Sequence, residues 1–514
     1  MEGGRGQGQG SEGKESTQPS SGTIPLVSLK LWAVPGTVFA LFFILVFSSG
    51  LVSRLDVFNF SVPSFFSATM EHTSEVPPKI LWPLNCTNGT IPQTCPANYP
   101  TGLQPNLSSS GSCPEYFQWI HEDLRPWKDT GITREMLERP KAREFTHFRL
   151  IILNGKPYLE TFKKAFETRD VFTVWGILQL LRLYPGKVPD LELMFCCEDR
   201  TVIPKKDYQE NKTVAPPPLF HYCGNTASFD VPFPDWSFWG WPEVNIKPWE
   251  ETVGAIRVKA NEIKWKDRQP YAQWKGNPLN HNRQQLMNCN KKDKTDWNVR
   301  ASSQDWGRER HGGFKTSSLE DQCKHRYKVY VEGNAWSVSE KYIMACNSTT
   351  LMVKPDFYDF FTRGMYPLVH YWPIRPGNMC KDIKFAVDWG NKHSSQAREM
   401  GEAGTRFIEE SVKLEYVYDY MLHMLTEYAK LLRFKPELPA GAREICSETM
   451  ACPAQGLVKE YMLGSLVNRP SESLPCKLQP PFDPEVVAGI RERKENATRQ
   501  VETWGDEYWE KHSK

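Results

Sequence analysis

Residues 327–374 read YKVYVEGNAWSVSEKYIMACNSTTLMVKPDFYDFFTRGMYPLVHYWPI, and the fold class turns on how this stretch is divided. Residues 327–332 carry the valines and tyrosines of a strand, and Gly333-Asn334-Ala335 is a turn. Residues 338–345 fit a short helix, 350–354 a second strand, 357–363 a helical turn and 369–374 a third strand. Strand, helix, strand, helix, strand in so short a span implies a parallel sheet with right-handed crossovers. Within the turn, Ser337 is a candidate N-cap with Glu340 three residues on, the spacing of a capping box.

The surrounding chain agrees. Downstream, 394–434 is charged on one face and apolar on the other through Phe407, Val412, Tyr416, Tyr420, Leu425 and Leu431, so one or two helices should pack on that sheet. Upstream, 171–184 (VFTVWGILQLLRLY) is a helix apolar on most faces, ended by Pro185-Gly186. Residues 191–197 (LELMFCC) follow as a buried strand closing with Glu198-Asp199. A short helical pattern lies in 126–141, with Thr133 as N-cap. The class is α/β.

Composition narrows the partners and the compartment. Lys plus Arg (63) nearly balance Asp plus Glu (61), so no global field points to nucleic acid. Residues 31–52 (LWAVPGTVFALFFILVFSSGLV) carry no charge and lie between Lys30 and Arg54. As a helix they would span about 33 Å, enough for a bilayer core. A cleaved signal peptide fits less well, because the apolar run is long and no A-x-A site follows. Arg5, Lys14 and Lys30 before the span against Arg54 after it place the N-terminus in the cytosol. Seven N-x-S/T sequons, at Asn59, Asn85, Asn88, Asn106, Asn211, Asn347 and Asn496, all follow the span. So do all 13 cysteines, an odd number that leaves at least one unpaired within the chain and matches an oxidising lumen. No C-x-x-C pair recurs at zinc-site spacing. The expected organisation is a disordered cytosolic tail (1–30), a transmembrane signal anchor (31–52), a Pro/Ser/Thr/Asn-rich stem (53–112), a folded domain (113–500) and a polar tail (501–514). Cys86, Cys95 and Cys113 suggest that the distal stem is locally stapled.

Three clusters could carry chemistry. The segment 229–249 (FDVPFPDWSFWGWPEVNIKPW) is too dense in Trp, Pro and Gly for a regular element. It is either a sugar platform, with Asp235 and Glu243 as hydroxyl acceptors, or a Trp-packed corner of the core. The segment 271–277 (YAQWKGN) is a strand ending where Gly276 admits a phosphate and Lys275 supplies charge. The third is the turn at 333–341 (GNAWSVSEK), where a helix N-terminus faces anions. Its spacing is neither that of a Walker loop nor that of a dinucleotide fingerprint.

These clusters, with 168–195 (TRDVFTVWGILQLLRLYPGKVPDLELMF), 234–242 (PDWSFWGWP), 271–278 (YAQWKGNP), 323–346 (CKHRYKVYVEGNAWSVSEKYIMAC) and 367–374 (PLVHYWPI), resemble glycosyltransferase family 90 over 113–433. That family includes the Rumi-type protein O-glucosyltransferases, and the sequence looks closest to plant members. The resemblance implies a GT-B-like arrangement of two Rossmann-like domains facing a cleft. Residues 113–255 would form the acceptor-side half and 256–435 the nucleotide-binding half, with the C-terminal helices returning. It implies a UDP-sugar donor, inversion at the sugar carbon, and no cofactor or metal. By position, Lys275, Gly276 and Asn277 match the family's nucleotide strand end. Gly333, Asn334, Ala335, Trp336 and Ser337 match its donor-binding turn, and Asp235, Trp236 and Trp239 its aromatic loop near the sugar.

Direct displacement needs one general base. The family's base is an Asp in an Asn-Asp-Cys segment upstream of the buried helix, and the equivalent 158–164 (YLETFKK) has none. Glu160 and Asp170 are the nearest carboxylates and the candidate bases. The expectation is an anchored inverting transferase moving glucose or xylose from a UDP-sugar to a protein or cell-wall glycan hydroxyl. Its place is the Golgi membrane, single-pass type II, with the endoplasmic reticulum as the alternative. The competing reading is a catalytically silent glycan-binding membrane protein on the same fold.

Overall fold

The computed structural model describes residues 82–86, 95, 110–209, 215–290 and 295–512. The tail, the anchor at 31–52 and most of the stem lie outside the described residues. Among the described residues no helix is long and apolar enough to cross a membrane. All of them belong to one compact unit, Pro77–Lys514.

Two sheets organise this unit, a mixed α/β architecture compatible with the GT-B-like expectation. The second sheet is the one read from 327–374. Its order is Trp372–Ile374, Thr349–Val353, His325–Tyr330, Gln269–Gly276, Val299–Ser303, and every pairing is parallel. The helix Ser339–Met344 makes the crossover between its strands His325–Tyr330 and Thr349–Val353. Three local expectations are corrected. The third strand begins only at Trp372, because Val369 and His370 bond back to Tyr366 in a turn. Phe357–Tyr358 is a two-residue strand rather than a helical turn, pairing antiparallel with Gly224–Asn225 of the first half. The capping box does not form: Val338 is the N-cap, and the Glu340 carboxylate accepts instead from the Thr362 hydroxyl at 3.2 Å.

The first sheet is mixed. Its order is Arg443–Glu444, Lys156–Thr161, Phe148–Leu153, Leu191–Phe195, Leu219–His221, Val231–Pro232. The last three run parallel, as a Rossmann-like half requires, while Phe148–Leu153 is antiparallel to both of its neighbours. The cause is local. Asn154 and Gly155 have φ of 52° and 73°, the left-handed pair that closes a two-residue hairpin. The helix Arg169–Leu183 packs against the turn Trp236–Phe238, and Gly176 on it is required: a Cβ there would fall inside the indole of Trp239.

The helical segment 394–434 divides its loyalty. Ser394–Arg406 packs on the second sheet, as expected, against Thr349–Val353. After a π-helical turn at Phe407–Ser411, Leu414–Leu431 crosses to the first half. There the Tyr428 hydroxyl donates to the Glu192 carbonyl at 3.0 Å, and Asp419 accepts from the Tyr184 hydroxyl at 2.6 Å. The segment read as a polar tail is the end of a helix, Pro484–His512, that lies against the second sheet's core through Val501, Trp504 and Tyr508.

Five disulfides brace the unit. Cys289–Cys380 and Cys323–Cys346 lie within the second half. Cys86, Cys95 and Cys113 are not stapled to one another: they bridge to Cys452, Cys446 and Cys476, between 351 and 366 residues away. The segment read as distal stem is thus bound into the folded unit. Cys196, Cys197 and Cys223 are free and buried.

Candidate active site

A cleft of about 1070 Å³ opens between the halves. Phe166, Glu167, Arg169, Asp199, Trp236 and Trp241 form its first wall, and the second runs through 273–283 and 333–343. Of the residues expected at the donor, Lys275, Gly276, Asn277, Gly333, Asn334, Trp336 and Ser337 all line it. Ala335 is fully buried beside them and does not.

These segments converge because Arg283 ties them together, a residue the sequence reading did not single out. Its guanidinium donates to the Glu332 carbonyl (2.9 Å), the Asn277 carbonyl (3.1 Å) and the Ser337 hydroxyl (3.2 Å), and it packs over Trp274. Asn280, the N-cap of helix His281–Asn288, adds bonds to the Glu332 and Gly333 carbonyls. No carboxylate pairs with Arg283 among the described residues, and burial depresses its pKa. Lys328 is in the same condition. It lies on the cleft floor, 2% exposed, with its ammonium held by three amide oxygens, those of Gln273 (2.5 Å) and Gln322 (2.9 and 3.4 Å). Burial lowers its pKa to about 7. Lys275 reaches the Thr316 carbonyl and hydroxyl. In all, seven Lys and Arg side chains line the cleft against three carboxylates, Glu167, Asp199 and Asp321. Such a wall favours an anion.

The aromatic loop resolves largely into core. Trp239 is fully buried and donates to the Tyr418 hydroxyl at 3.0 Å, away from the cleft. Asp235 is fully buried too: it caps the turn Trp236–Phe238 through Ser237 and pairs with Lys341 at 2.8 Å. Trp236 alone of the three reaches the cleft, with Trp241 beside it and Trp336 facing it from the other half at 6.3 Å. The indole N–H groups of Trp236 and Trp336 find no acceptor among the described residues.

Neither candidate base is in the cleft. Glu160 sits on the strand Lys156–Thr161, within 3.5 Å of Arg149, which also pairs with Glu138 and Glu192. Asp170 turns its oxygens to the N–H groups of Val171 (2.9 Å) and Ala165 (3.5 Å) and serves the start of its own helix. Asp199 lines the cleft but is engaged by Arg169 at 2.7 Å and by Asn334 at 3.4 Å. Glu167 remains. It has φ of 59°, a conformation non-glycine residues rarely hold. Its Oε2 accepts from the Trp241 indole at 2.6 Å, and burial raises its pKa above the usual carboxylate range.

Two α/β halves closing a cationic, aromatic-edged cleft can hold an anionic ligand. The profile of glycosyl transferase family 90 matches residues 108–505, and the chain belongs to that family of glycosyltransferases. It is similar to the protein O-glucosyltransferase 1 of Bos taurus, 25% identical over 350 residues, covering 66% of this chain and 85% of that protein. It is also similar to the O-glucosyltransferase rumi of Drosophila melanogaster (24% over 335 residues, 62% and 78%). The rumi homolog of Aedes aegypti gives 24% over 339 residues, 63% and 80%.

Proposed function

We propose that the cleft binds a UDP-sugar and that the enzyme transfers its glucose or xylose, with inversion, to a hydroxyl of a protein or glycan in the Golgi lumen. The cationic wall supports this reading: Arg283 and Lys275 carry charge into the cleft without carboxylate partners among the described residues. Arg283 and Lys275 neutralise the diphosphate, both as bound donor and as it departs. The aromatic rings of Trp236, Trp241 and Trp336 bracket the sugar and base. Charge neutralisation is assigned to these side chains and not to a metal.

Glu167 is the base in this reading. Its Oε2 is held by the Trp241 indole, the residue lines the cleft, and burial strengthens it as a proton acceptor. It takes the proton of the acceptor hydroxyl as that oxygen bonds the anomeric carbon. The bond from that carbon to the diphosphate oxygen breaks with its electron pair going to the diphosphate.

The full-length protein is titrated with UDP-glucose and UDP-xylose by calorimetry and assayed for transfer and hydrolysis. Absence of binding at millimolar donor removes the reading, and binding without turnover leaves a silent glycan-binding protein. Glu167→Gln should keep donor affinity and lose at least about a hundredfold in kcat. Unchanged turnover acquits Glu167.

A further inference from the structure

One sequon lies where a glycan would have somewhere to go. Across 341–350 every residue is buried except Asn347, which stands half-exposed between Cys346 and Ser348. Its φ of 52° turns the chain, and its N–H donates to the Thr405 hydroxyl at 2.9 Å. Its carboxamide has no hydrogen-bond partner among the described residues. Asn347 lines a second cavity of about 670 Å³ on the second half, walled also by Trp265, Arg326, Asn391, Ser394, Arg398 and Glu402. Trp265 is 8% exposed, and its indole N–H is buried with no acceptor; the Arg326 Nε is in the same state. An indole beside amide, hydroxyl, guanidinium and carboxylate groups matches a sugar ring, which presents apolar C–H faces edged by hydroxyls. Arg398 is compensated by Glu402 at 3.6 Å, and Lys264, Lys266, Arg268 and Arg326 complete a polar, net cationic wall.

We propose that Asn347 is N-glycosylated and that the core sugars of this glycan seat in the Trp265 cavity. The donor is a lipid-diphosphate oligosaccharide. The Asn347 Nδ2 bonds its anomeric carbon, the bond from that carbon to the lipid diphosphate breaks, the diphosphate leaves as an anion, and the amide gives one proton to solvent. The order of events is dictated by the sequon's third residue. Thr349 is 1% exposed and donates to the Ala397 carbonyl at 2.6 Å, so the motif is readable only before the strand Thr349–Val353 joins its sheet. The contrast within the chain is Asn496, exposed on the helix Pro484–His512, whose carboxamide accepts from Arg499 at 2.8 Å.

The full chain is produced in a eukaryotic secretory host, and its glycopeptides are read by mass spectrometry. Release by a peptide:N-glycosidase is timed before and after denaturation. The Asn347 glycan should be present and be released at least about tenfold more slowly from native protein, because access then needs local opening. Asn347→Asp, which removes the acceptor amide and tolerates a left-handed backbone, should speed hydrogen exchange in 261–266 and 394–398. An unmodified Asn347, whether other sequons are occupied or not, overturns the proposal. So does equal release from native and denatured protein with unchanged exchange in the variant.

Discussion

Lys341→Met removes the cation from an ion pair that water does not reach. Lys341 and Asp235 have side chains 1% and 0% exposed, stand 2.8 Å apart, and join the helix Ser339–Met344 of one half to the aromatic loop of the other. At an effective dielectric of 20, unit charges at that separation attract by about 6 kcal/mol. Methionine removes the attraction and leaves Asp235 desolvated, so stability should fall by about 3–5 kcal/mol. Asp235 would retain the Ser237 N–H and face Asp359, whose carboxyl is already held well above the usual range by burial and then by Asp235 itself. A buried carboxylate without its cation escapes by taking up a proton, the direction in which burial already drives Asp359 beside it. A group so shifted favours the fold below its unfolded pKa and loses that favour as pH rises through the folded one, so the variant's deficit should be larger at pH 8 than at pH 5. Urea unfolding at both pH values, with disulfides intact and tryptophan emission as the signal, measures it. Asp235→Asn combined with Lys341→Met removes both charges, keeps the acceptor for Ser237, and should recover about half the loss or more. A deficit below about 1 kcal/mol at pH 8, the scale of a surface pair, refutes the reasoning. A double variant no more stable than the single one does so too.

Three further perturbations test other parts. Arg283→Ala should weaken UDP binding by about 10–100-fold in calorimetry, the loss of charge-assisted bonds to the diphosphate together with the tie between 277 and 332–337. Glu340→Gln keeps the acceptor for Thr362 and removes a buried carboxyl whose pKa burial has raised to about 8. Wild type loses this residue's contribution as pH rises from about 4.5 through 8, so the variant's advantage in melting temperature should grow from pH 5 to pH 8, and a flat difference would contradict it. Gly176→Ala forces Trp239 from its seat and should cost about 1–3 kcal/mol in unfolding free energy, with the Trp239–Tyr418 bond strained.

The parallel sheet was legible in 327–374 because crossovers leave a local signature: strand, turn, helix and strand follow one another along the chain. The hairpin was equally local, yet passed unread. Asn154-Gly155 between FRLIIL and KPYLET is a strong short-range turn signal, and it makes the first sheet mixed. The course of Leu414–Leu431 was not legible at all. An amphipathic pattern names the buried face of a helix and not the layer that buries it. The site divides the same way. Lys275, Gly276, Asn277, Gly333, Asn334, Trp336 and Ser337 line the cleft because they follow strand ends, where backbone opens outward. Arg283 was missed because its meaning lies in carbonyls and a hydroxyl up to 54 residues away. Glu160 and Asp170 were chosen by nearness along the chain, and the loop between them turns a different carboxylate, Glu167, to the cleft through a left-handed residue that no pattern announces.

The three long-range disulfides set a clock on synthesis. Cys86 waits for Cys452, 366 residues later, and Cys95 and Cys113 wait nearly as long. At about 5–20 residues per second the first thiol stays unpaired for roughly 20–70 s after its own synthesis. The early part of the domain must therefore collapse around open thiols, and the clasp closes only when the last partners, 446–476, arrive. A chain cut short by about 70 residues keeps both sheets' main strands and loses all three fasteners at once. Quality control in an oxidising compartment can read that single defect as a cluster of free thiols.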